Sequence, residues 1–373
     1  MIAVDSEFSK AVVIGTGLMG GSLSLALKAS ERVEKVAGYD SSDATRKKAL
    51  ELGIADEIAD TPEVAVEGAD LLFLATPTSS IVKAFAEISG KLRPGTLVSD
   101  LGSVKFGITT AIEASLPSGI QYVGGHPMTG SEQSGVEYAR VDLYSGAYYI
   151  LTPTEHTETE AFRRLHALLT DLGSRVISID PESHDQAMAT VSHVPHLLSL
   201  LLMELASRQQ RQMKNLFTIA AGGFRDMTRV AASSPEIWTD ICIENRRFIV
   251  ERLREYGKQM DELVALLEEG DRVKLQGLFE DARRARSELS VKSGQELKEL
   301  YDVSLPVPDE PGVISKISTA VGALGVNIED MTIVHPLEGE TGIMTLKILG
   351  KKNAAEVSER LSSLGYRSSF WRA

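Results

Sequence analysis

The chain has almost no cysteine, since Cys242 is the single one in 373 residues. One thiol cannot form an internal disulfide or a cysteine-based metal cluster, and it fits a reducing compartment. The chain also lacks an excess of basic residues: 39 Lys and Arg stand against 52 Asp and Glu, a formal net charge of −13. This balance argues against nucleic acid or an anionic membrane surface as the main partner.

Long hydrophobic runs are absent as well. The longest apolar run, 197–203, is far shorter than the roughly 20 residues that a bilayer span needs. Glycines at positions 15 and 17 interrupt the N-terminal apolar stretch, so no signal peptide is expected. We therefore expect a cytoplasmic protein with no membrane partner. A chain of this length exceeds one typical core, so two or three domains are expected.

The N-terminal region carries a dinucleotide-binding pattern. An apolar run, 11–14, leads into Gly15-Thr-Gly-Leu-Met-Gly20 and then into an apolar periodic segment. In such a strand–turn–helix context the glycines allow the turn, the approach of a pyrophosphate and the packing of helix on strand. Asp40 ends a second apolar run, where a carboxylate can accept hydrogen bonds from ribose hydroxyls and repel a 2′-phosphate. We predict NAD, preferred over NADP, bound by Gly15, Gly17, Leu18, Met19, Gly20, Asp40, Thr76, Pro77 and Ser103.

Strands and helices alternate up to about residue 152. Continuous apolar runs between helical segments predict a doubly wound parallel sheet of the Rossmann type. Ligands bind such sheets beyond the carboxyl ends of the strands, where we expect His126, in a glycine-lined loop. The predicted strands are 12–14, 36–39, 71–75, 96–99, 122–123 and 148–151.

Helical periodicity takes over after residue 155, with predicted helices at 160–172, 184–208 and 236–267. The last is about three times the mean helix length, and interlocking with a second copy would cover it. We therefore expect a homodimer. The predicted domains are a nucleotide-binding domain, 1–152, with about 180 as an alternative upper edge, and an all-helical substrate and dimerisation domain, 153–295.

The remaining part, 299–373, follows a polar linker at 290–296. It reads as strands at 301–307, 328–335, 342–349 and 367–371 with helices at 313–324 and 354–364. The order βαββαβ predicts a ferredoxin-like antiparallel sheet covered by two helices.

Three patches carry candidate chemistry. The first two are Ser103, which follows a strand, and His126 with Ser131 and Glu132. The third joins residues 192–196, which include His193 and His196, to residues 222–229, where Arg225 and Arg229 suit a carboxylate. One of these arginines is alternatively a structural partner of Asp226 or Glu244. The two histidines lack a third ligand, so no metal site is predicted.

These motifs, in this order, resemble the prephenate dehydrogenase family of tyrosine biosynthesis. The segments that carry the resemblance are 15–23, 100–105, 125–132, 192–196 and 223–229. In the C-terminal part, Val307-Pro-Asp-Glu-Pro-Gly-Val-Ile and Gly325-Val-Asn-Ile-Glu resemble an ACT domain. Thr129 departs from the family's usual alanine, and Val194 from its common leucine. The first departure bears on whether the pocket accepts a keto or an amino side chain.

The resemblance implies an NAD-dependent oxidative decarboxylation of prephenate to 4-hydroxyphenylpyruvate. His126 would act on the ring hydroxyl as a general base. The other implied catalytic residues are Ser103, Arg229, His196 and Glu132, and the implied substrate-binding residues are Ser131, Gly222, Arg225 and Trp238. The ACT resemblance implies L-tyrosine as an effector, held by Asp309, Gly312, Asn327 and Ile328.

Three other functions stay open. Arogenate in place of prephenate would use the same chemistry. A β-hydroxyacid dehydrogenase shares the N-terminal pattern, but it would normally carry a catalytic lysine on a helix of the second half. A non-catalytic sensor of nucleotide and amino acid would be expected to lose the motifs around His126 and Arg229, and both are present.

Overall fold

A computed structural model describes residues 6–130, 133–292, 300–334 and 341–372. The contacts divide the chain into two compact units, Met1–Asp261 and Glu262–Ala373.

The first unit is built on an eight-stranded sheet. The strands are β1 (Ala11–Ile14), β2 (Val36–Tyr39), β3 (Glu57–Ile58), β4 (Leu71–Leu74), β5 (Leu97–Asp100), β6 (Gln121–Pro127), β7 (Tyr148–Thr152) and β8 (Arg175–Ser178). Their order in the sheet is β3-β2-β1-β4-β5-β6-β7-β8. All neighbouring strands are parallel except β6 and β7.

Six helices connect these strands, and two apolar clusters form the core. Both clusters draw on the same central strands, whose residues are buried on either face, as the continuous apolar runs predict. Thr61 accepts a hydrogen bond from the Val64 N–H and so caps α3, whose first residue is a proline. The helices are α1 (Leu18–Ala29), α2 (Asp43–Glu51), α3 (Pro62–Val66), α4 (Ile81–Ile88), α5 (Phe106–Ala114) and α6 (Thr159–Asp171).

The prediction that His126 lies in a glycine-lined loop is wrong. His126 lies in β6, paired with Ile150 of the antiparallel strand β7, and only 8% of its surface is exposed. The glycines before it permit close packing inside the sheet. A Cβ on Gly124 would lie 2.4 Å from the Thr152 hydroxyl oxygen, and one on Gly125 would lie 2.6 Å from the Asp100 carbonyl oxygen. The expectation of an all-parallel sheet fails at this same pair.

Two strands were not predicted. β3 has only two residues, and the residues of β8 are mostly exposed, so neither forms a buried apolar run. β8 carries the sheet to Ser178, near the upper edge that the sequence suggested for this domain.

Helices follow the sheet, and they differ from the prediction at 236–267. That segment forms two helices, because helical structure is interrupted at Asn245. The buried side-chain amide of Asn245 forms hydrogen bonds with the Asp185 carbonyl and with His193. A further helix, α12, includes the first three residues of the expected linker. The helices are α7 (Pro181–Met188), α8 (Val194–Gln210), α9 (Gly222–Thr228), α10 (Pro235–Glu244), α11 (Arg246–Glu269) and α12 (Arg272–Lys292).

A π-helical turn, Ala189–His193, joins α7 to α8 without a break. Together, 181–210 is long and apolar enough to cross a bilayer, although a third of the apolar window is buried in the fold. One such helix is weak evidence for a membrane span. This one carries His184, Asp185 and His193, which are buried and hydrogen-bonded to the rest of the unit.

The C-terminal part of the chain forms a four-stranded antiparallel sheet of order β10-β11-β9-β12. Both of its helices pack their buried faces into one apolar core with the sheet. The βαββαβ order is as predicted, although His335, the expected end of the second strand, lies outside the described residues. The elements are β9 (Leu300–Pro308), α13 (Val313–Gly322), β10 (Ile328–Val334), β11 (Thr341–Leu349), α14 (Lys351–Ser363) and β12 (Ser369–Arg372).

Candidate active site

The glycine turn after β1 brings the start of α1 against the end of β4. Gly15 has φ +96°, which favours glycine, and a Cβ there would lie 2.6 Å from the Ala75 carbonyl oxygen. A Cβ on Gly20 would lie 1.8 Å from the Gly15 carbonyl oxygen. Both positions therefore exclude any side chain, as the strand–turn–helix pattern requires.

The same turn leaves room for a ligand. No heavy atom lies within 4 Å of where a Cβ of Gly17 would stand, and no side chain caps α1. The first backbone N–H groups of α1, at Leu18 and Met19, are thus available to an anion. The enclosed hydroxyls of Thr16 and Thr76 have no hydrogen-bond partner among the described residues. These features fit a dinucleotide pyrophosphate, and Pro77 leaves β4 at the same edge.

Asp40 lies just after β2 at this edge. One carboxylate oxygen accepts a hydrogen bond from the Thr16 N–H and the other from the Ser42 N–H, each at 3.0 Å. The carboxylate is therefore fixed between the glycine turn and the loop to α2, where the ribose of a bound dinucleotide lies in this type of fold.

A buried ion pair supports the ends of β5 and β6. The Lys105 ammonium contacts the Asp100 carboxylate and donates to the Gly125 carbonyl at 2.8 Å, and both side chains are fully buried. The Tyr122 hydroxyl donates to the same carboxylate at 2.6 Å. Burial lowers the pKa of Lys105, and the adjacent Asp100 opposes that shift. Ser103 lies in the loop from β5 to α5, between Asp100 and Lys105, and its side chain makes no hydrogen bond within the described part of the chain.

Three side chains form a hydrogen-bonded triad that ends at His126. Asp185 lies 2.7 Å from His184 Nδ1, and His184 Nε2 lies 2.8 Å from His126 Nδ1. The Asp185 carboxylate also accepts the backbone N–H groups of Lys105 and Phe106 at 2.8 and 2.9 Å. One carboxylate thus caps α5 and holds the triad in place.

These contacts fix the position of each proton when both imidazoles of the triad are neutral. An ionised Asp185 only accepts, so His184 carries its proton on Nδ1 and its Nε2 has a lone pair. His126 must then donate from Nδ1, which leaves a lone pair on its own Nε2. That nitrogen has no hydrogen-bond partner among the described residues, so it can accept a proton from a bound ligand.

Burial lowers the pKa of His126 well below its usual range, and positive charge on His184, Lys105 or His193 lowers it further. The imidazole is therefore neutral near pH 7, which is the state a general base requires.

A second histidine pair lies on the π-helical turn and the first turn of α8. His196 stacks on Trp238 with ring centroids 3.4 Å apart, and His193 meets the same indole edge-on at 6.1 Å. The Asn245 side-chain nitrogen lies 2.9 Å from His193 Nδ1 and 2.9 Å from the Asp185 carbonyl. Asn245 thus connects this pair to the triad.

The glycine–arginine segment packs on the same helix. α9, which begins at Gly222, and the short 3-10 turn that begins at Arg229 both lie against α8. The side chains of Arg225 and Arg229 are exposed. The contacts described for Arg225 include no ion pair with Asp226 or Glu244.

Two predicted residues, Ser131 and Glu132, lie outside the described residues. Thr129 donates its hydroxyl to the Leu143 carbonyl at 3.2 Å. Val194 is buried in a small apolar cluster with Ala189, Phe248 and Ile249. Thr129 and Val194, which depart from the family pattern, thus both make contacts within the fold.

Sequence reasoning missed His184, Asp185, Asn245 and the Asp100–Lys105 pair. No local signal singles out His184 and Asp185, because both neighbours of the pair, Ser183 and Gln186, are polar as well. Their partners are up to 80 residues away in sequence, so no local spacing identifies the contacts.

The four C-terminal candidates divide into two pairs. Asp309 and Gly312 follow the end of β9, where Pro308 pairs with Thr341 of β11, whereas Ile328 pairs with Ile348 of the same strand. Thr341 and Ile348 are seven residues apart on β11, which corresponds to about 23 Å along the strand. Within one copy, Gly312 and Asn327 therefore lie at opposite ends of the sheet.

Comparison with known proteins gives two family matches. Residues 23–178 match the nucleotide-binding domain of prephenate dehydrogenase, and residues 180–281 match the dimerisation domain of the same family. A prephenate dehydrogenase of Bacillus subtilis (strain 168) is 34% identical over 336 residues, which cover 90% of this chain and 91% of that protein.

Two of the solved structures that are similar to the chain are a prephenate dehydrogenase and an arogenate dehydrogenase. Prephenate dehydrogenase from A. aeolicus, in complex with hydroxyphenyl propionate and NAD⁺, is 31% identical with a TM-score of 0.70, covering 75% of this chain and 98% of that one. Arogenate dehydrogenase of Synechocystis is 30% identical with a TM-score of 0.67, covering 75% and 99%.

Proposed function

Because the chain belongs to the prephenate dehydrogenase family, we propose that it oxidatively decarboxylates prephenate to 4-hydroxyphenylpyruvate. It is an oxidoreductase that uses NAD. The observation that carries the proposal is the Asp185–His184–His126 triad, which leaves an acceptor nitrogen at the carboxyl ends of the strands.

His126 is the proposed general base. Its Nε2 accepts the proton of the ring hydroxyl, and NAD⁺, when bound, accepts the hydride from the carbon that carries this hydroxyl. Loss of the ring carboxylate as CO₂ gives the aromatic product. The positive charge that His126 gains is stabilised through His184 by the Asp185 carboxylate, so the triad binds the transition state better than the ground state.

The remaining predicted residues have proposed roles around His126. Ser103, with a side chain that has no hydrogen-bond partner among the described residues, assists at the ring hydroxyl. Arg229 holds a substrate carboxylate through its planar guanidinium. We assign to the substrate pocket His196, Glu132, Ser131, Gly222, Arg225 and Trp238, and to the cofactor Gly15, Gly17, Leu18, Met19, Gly20, Asp40, Thr76, Pro77 and Ser103.

Arogenate is the second candidate substrate, because one similar solved structure is named an arogenate dehydrogenase. The deciding experiment measures NAD⁺ reduction by the purified chain with prephenate and with arogenate under the same conditions. We expect the larger kcat/KM with prephenate. A larger value with arogenate would reassign the substrate, and no reduction with either would contradict the proposed function.

We further propose that residues 299–373 form a ferredoxin-like ACT domain that binds L-tyrosine between two copies. Three features support this: the βαββαβ order, the absence of a side-chain cap at Gly312 before α13, and the exposed amide of Asn327. Since Asp309 and Gly312 lie at the opposite end of the sheet from Asn327 and Ile328, one tyrosine would contact the first pair of one copy and the second pair of another.

The dimerisation-domain match supports a homodimer. We propose a division into residues 1–152, extending to about 180, then 153–295 and 299–373. A cytoplasmic location is proposed from the single cysteine and from the biosynthetic activity.

A further inference from the structure

Arg46 lies beside the carboxylate that selects the cofactor. It is in the first turn of α2, and its Nη1 donates to the Asp40 carbonyl at 2.7 Å and to the Ser41 carbonyl at 3.3 Å. Its guanidinium carbon stands 5.5 Å from the centre of the Tyr39 ring, and 19% of the side chain is exposed. These contacts hold the guanidinium on the loop that follows β2.

The charge of Arg46 is not neutralised by Asp40. Among the described residues its ion pair is with the exposed Asp43, at 3.4 Å, whereas the Asp40 carboxylate is bonded to the N–H groups of Thr16 and Ser42. The carboxylate of Asp40, on the loop after β2, and the guanidinium of Arg46, in the first turn of α2, are therefore held close together at the edge of the sheet where we place the ribose.

These two side chains favour different cofactors. A carboxylate accepts hydrogen bonds from ribose hydroxyls and repels a 2′-phosphate, whereas a guanidinium binds phosphate through charge-assisted hydrogen bonds. We propose that Arg46 is a preformed 2′-phosphate-binding residue, and that the charge of Asp40 alone prevents the chain from binding NADP. This inference rests on the cofactor site and is independent of which substrate is oxidised.

The test uses isothermal titration of the full chain with 2′,5′-ADP and with 5′-ADP, two probes that differ only in the 2′-phosphate. The unaltered chain binds 5′-ADP more tightly. In Asp40→Asn, which keeps one acceptor oxygen but removes the charge, the affinity for 2′,5′-ADP relative to that for 5′-ADP rises about 10- to 100-fold, the worth of one charge-assisted contact. The affinity for 5′-ADP itself falls, because Asp40 binds the ribose and an amide cannot accept from both Thr16 and Ser42, so the gain is measured as the ratio of the two affinities.

The double variant Asp40→Asn/Arg46→Gln loses this gain. The matched control, Asp40→Asn/Lys47→Gln, keeps it, because Lys47 is an exposed neighbour on α2 that pairs with Asp43 at 2.7 Å. If the gain survives in Asp40→Asn/Arg46→Gln, or is lost equally in Asp40→Asn/Lys47→Gln, Arg46 is not the phosphate-binding residue and the proposal fails.

A second comparison is independent of any change at Asp40. Arg46→Gln alone weakens the residual binding of 2′,5′-ADP about tenfold and leaves 5′-ADP within about twofold. Should Asp40→Asn fail to bind 5′-ADP, this single variant decides: equal losses for the two probes overturn the proposal. Failure of the prephenate assay would leave these titrations unaffected, so the two proposals are separable.

Discussion

Asp185 has three contacts that an amide cannot reproduce together. Its carboxylate accepts hydrogen bonds from the Lys105 and Phe106 N–H groups and from His184. In Asp185→Asn, the side-chain NH₂ group would therefore face one of these donors. We expect Asp185→Asn to lower kcat by about 10²- to 10⁴-fold, because His184 loses its fixed tautomer. Steady-state assays at varied NAD⁺ measure this, and KM for NAD⁺ should change little.

A matched control separates this effect from loss of a helix cap. Asp180 caps α7 by accepting the Ser183 N–H at 2.9 Å, outside the triad. Asp180→Asn is expected to keep kcat within about twofold, and the pH profile of kcat should change only in Asp185→Asn. Equal effects in the two variants would make Asp185 a structural residue only.

Arg229 is assigned to a substrate carboxylate. Arg229→Lys keeps the charge but not the planar pair of donors, so we expect KM for prephenate to rise about tenfold or more while KM for NAD⁺ stays constant. Initial rates at varied prephenate measure it, with Arg225→Lys beside it. An unchanged KM in Arg229→Lys and a raised one in Arg225→Lys would move the role to Arg225.

At the scale of elements, the buried histidines make stability depend on pH. Burial lowers the pKa of His193, on the π-helical turn, to about 4, and lowers the pKa of His126 well below its usual range. The unfolded chain, with a pKa near 6.5, therefore binds more protons between about pH 4 and 6.5. The contribution of the two neutral histidines to the free energy of unfolding is complete above pH 6.5 and is lost as the pH falls.

Urea unfolding at pH 7.5, 6.5 and 5.5 measures this loss. Each of the two histidines contributes a slope of up to about 1.4 kcal/mol per pH unit below pH 6.5. His193→Gln, whose amide oxygen can still accept from Asn245, should reduce the slope, whereas His156→Gln, at an exposed position, should not. A slope that His193→Gln leaves unchanged would show that other groups cause the pH dependence.

The elements that sequence predicts well are those with a strong local pattern. The glycine turn, the central strands and the C-terminal βαββαβ order follow from apolar periodicity and turn residues. The composition of Gly-Gly-His-Pro is typical of a turn and so predicts a loop at His126, whereas in the fold those glycines let β5, β6 and β7 pack closely. The break at Asn245 involves no proline or glycine, and it depends on contacts with residues 52 and 60 positions away.

The site was predicted in part for the same reason. Single residues of recognisable type, such as His126 and Asp40, stand out within their motifs. The triad does not, because it requires β6 and α7 to meet, and that contact depends on the packing of the whole first unit.

At the scale of the molecule, the proposed tyrosine site requires two copies of the chain, because Gly312 and Asn327 lie at opposite ends of one sheet. A chain truncated before Glu299 should keep NAD⁺ reduction but lose inhibition by tyrosine, which dose–response curves of the two proteins would show. A coupling of about 1 to 3 kcal/mol corresponds to a 5- to 150-fold change in apparent affinity. A truncated enzyme as sensitive as the full chain would place tyrosine at the His126 pocket instead.

Point variants in the full chain test the same idea if the truncated protein does not fold. Asn327→Ala should weaken inhibition by tyrosine and leave kcat unchanged, since Asn327 is remote from the first unit in sequence and exposed. Asn353→Ala, whose side chain donates to the Leu349 carbonyl, is the matched control in the same sheet region and should keep full sensitivity. Equal sensitivity in both variants would contradict the assignment of Asn327.

The central claim is that His126, oriented by His184 and Asp185, is the base that accepts the hydroxyl proton. It is tested most directly by the kcat of His126→Asn for prephenate-dependent NAD⁺ reduction, with NAD⁺ binding titrated in parallel. The account predicts a fall of about 10²- to 10⁴-fold in kcat with NAD⁺ affinity nearly unchanged. A kcat within a few-fold of the unaltered chain would show that another group is the base.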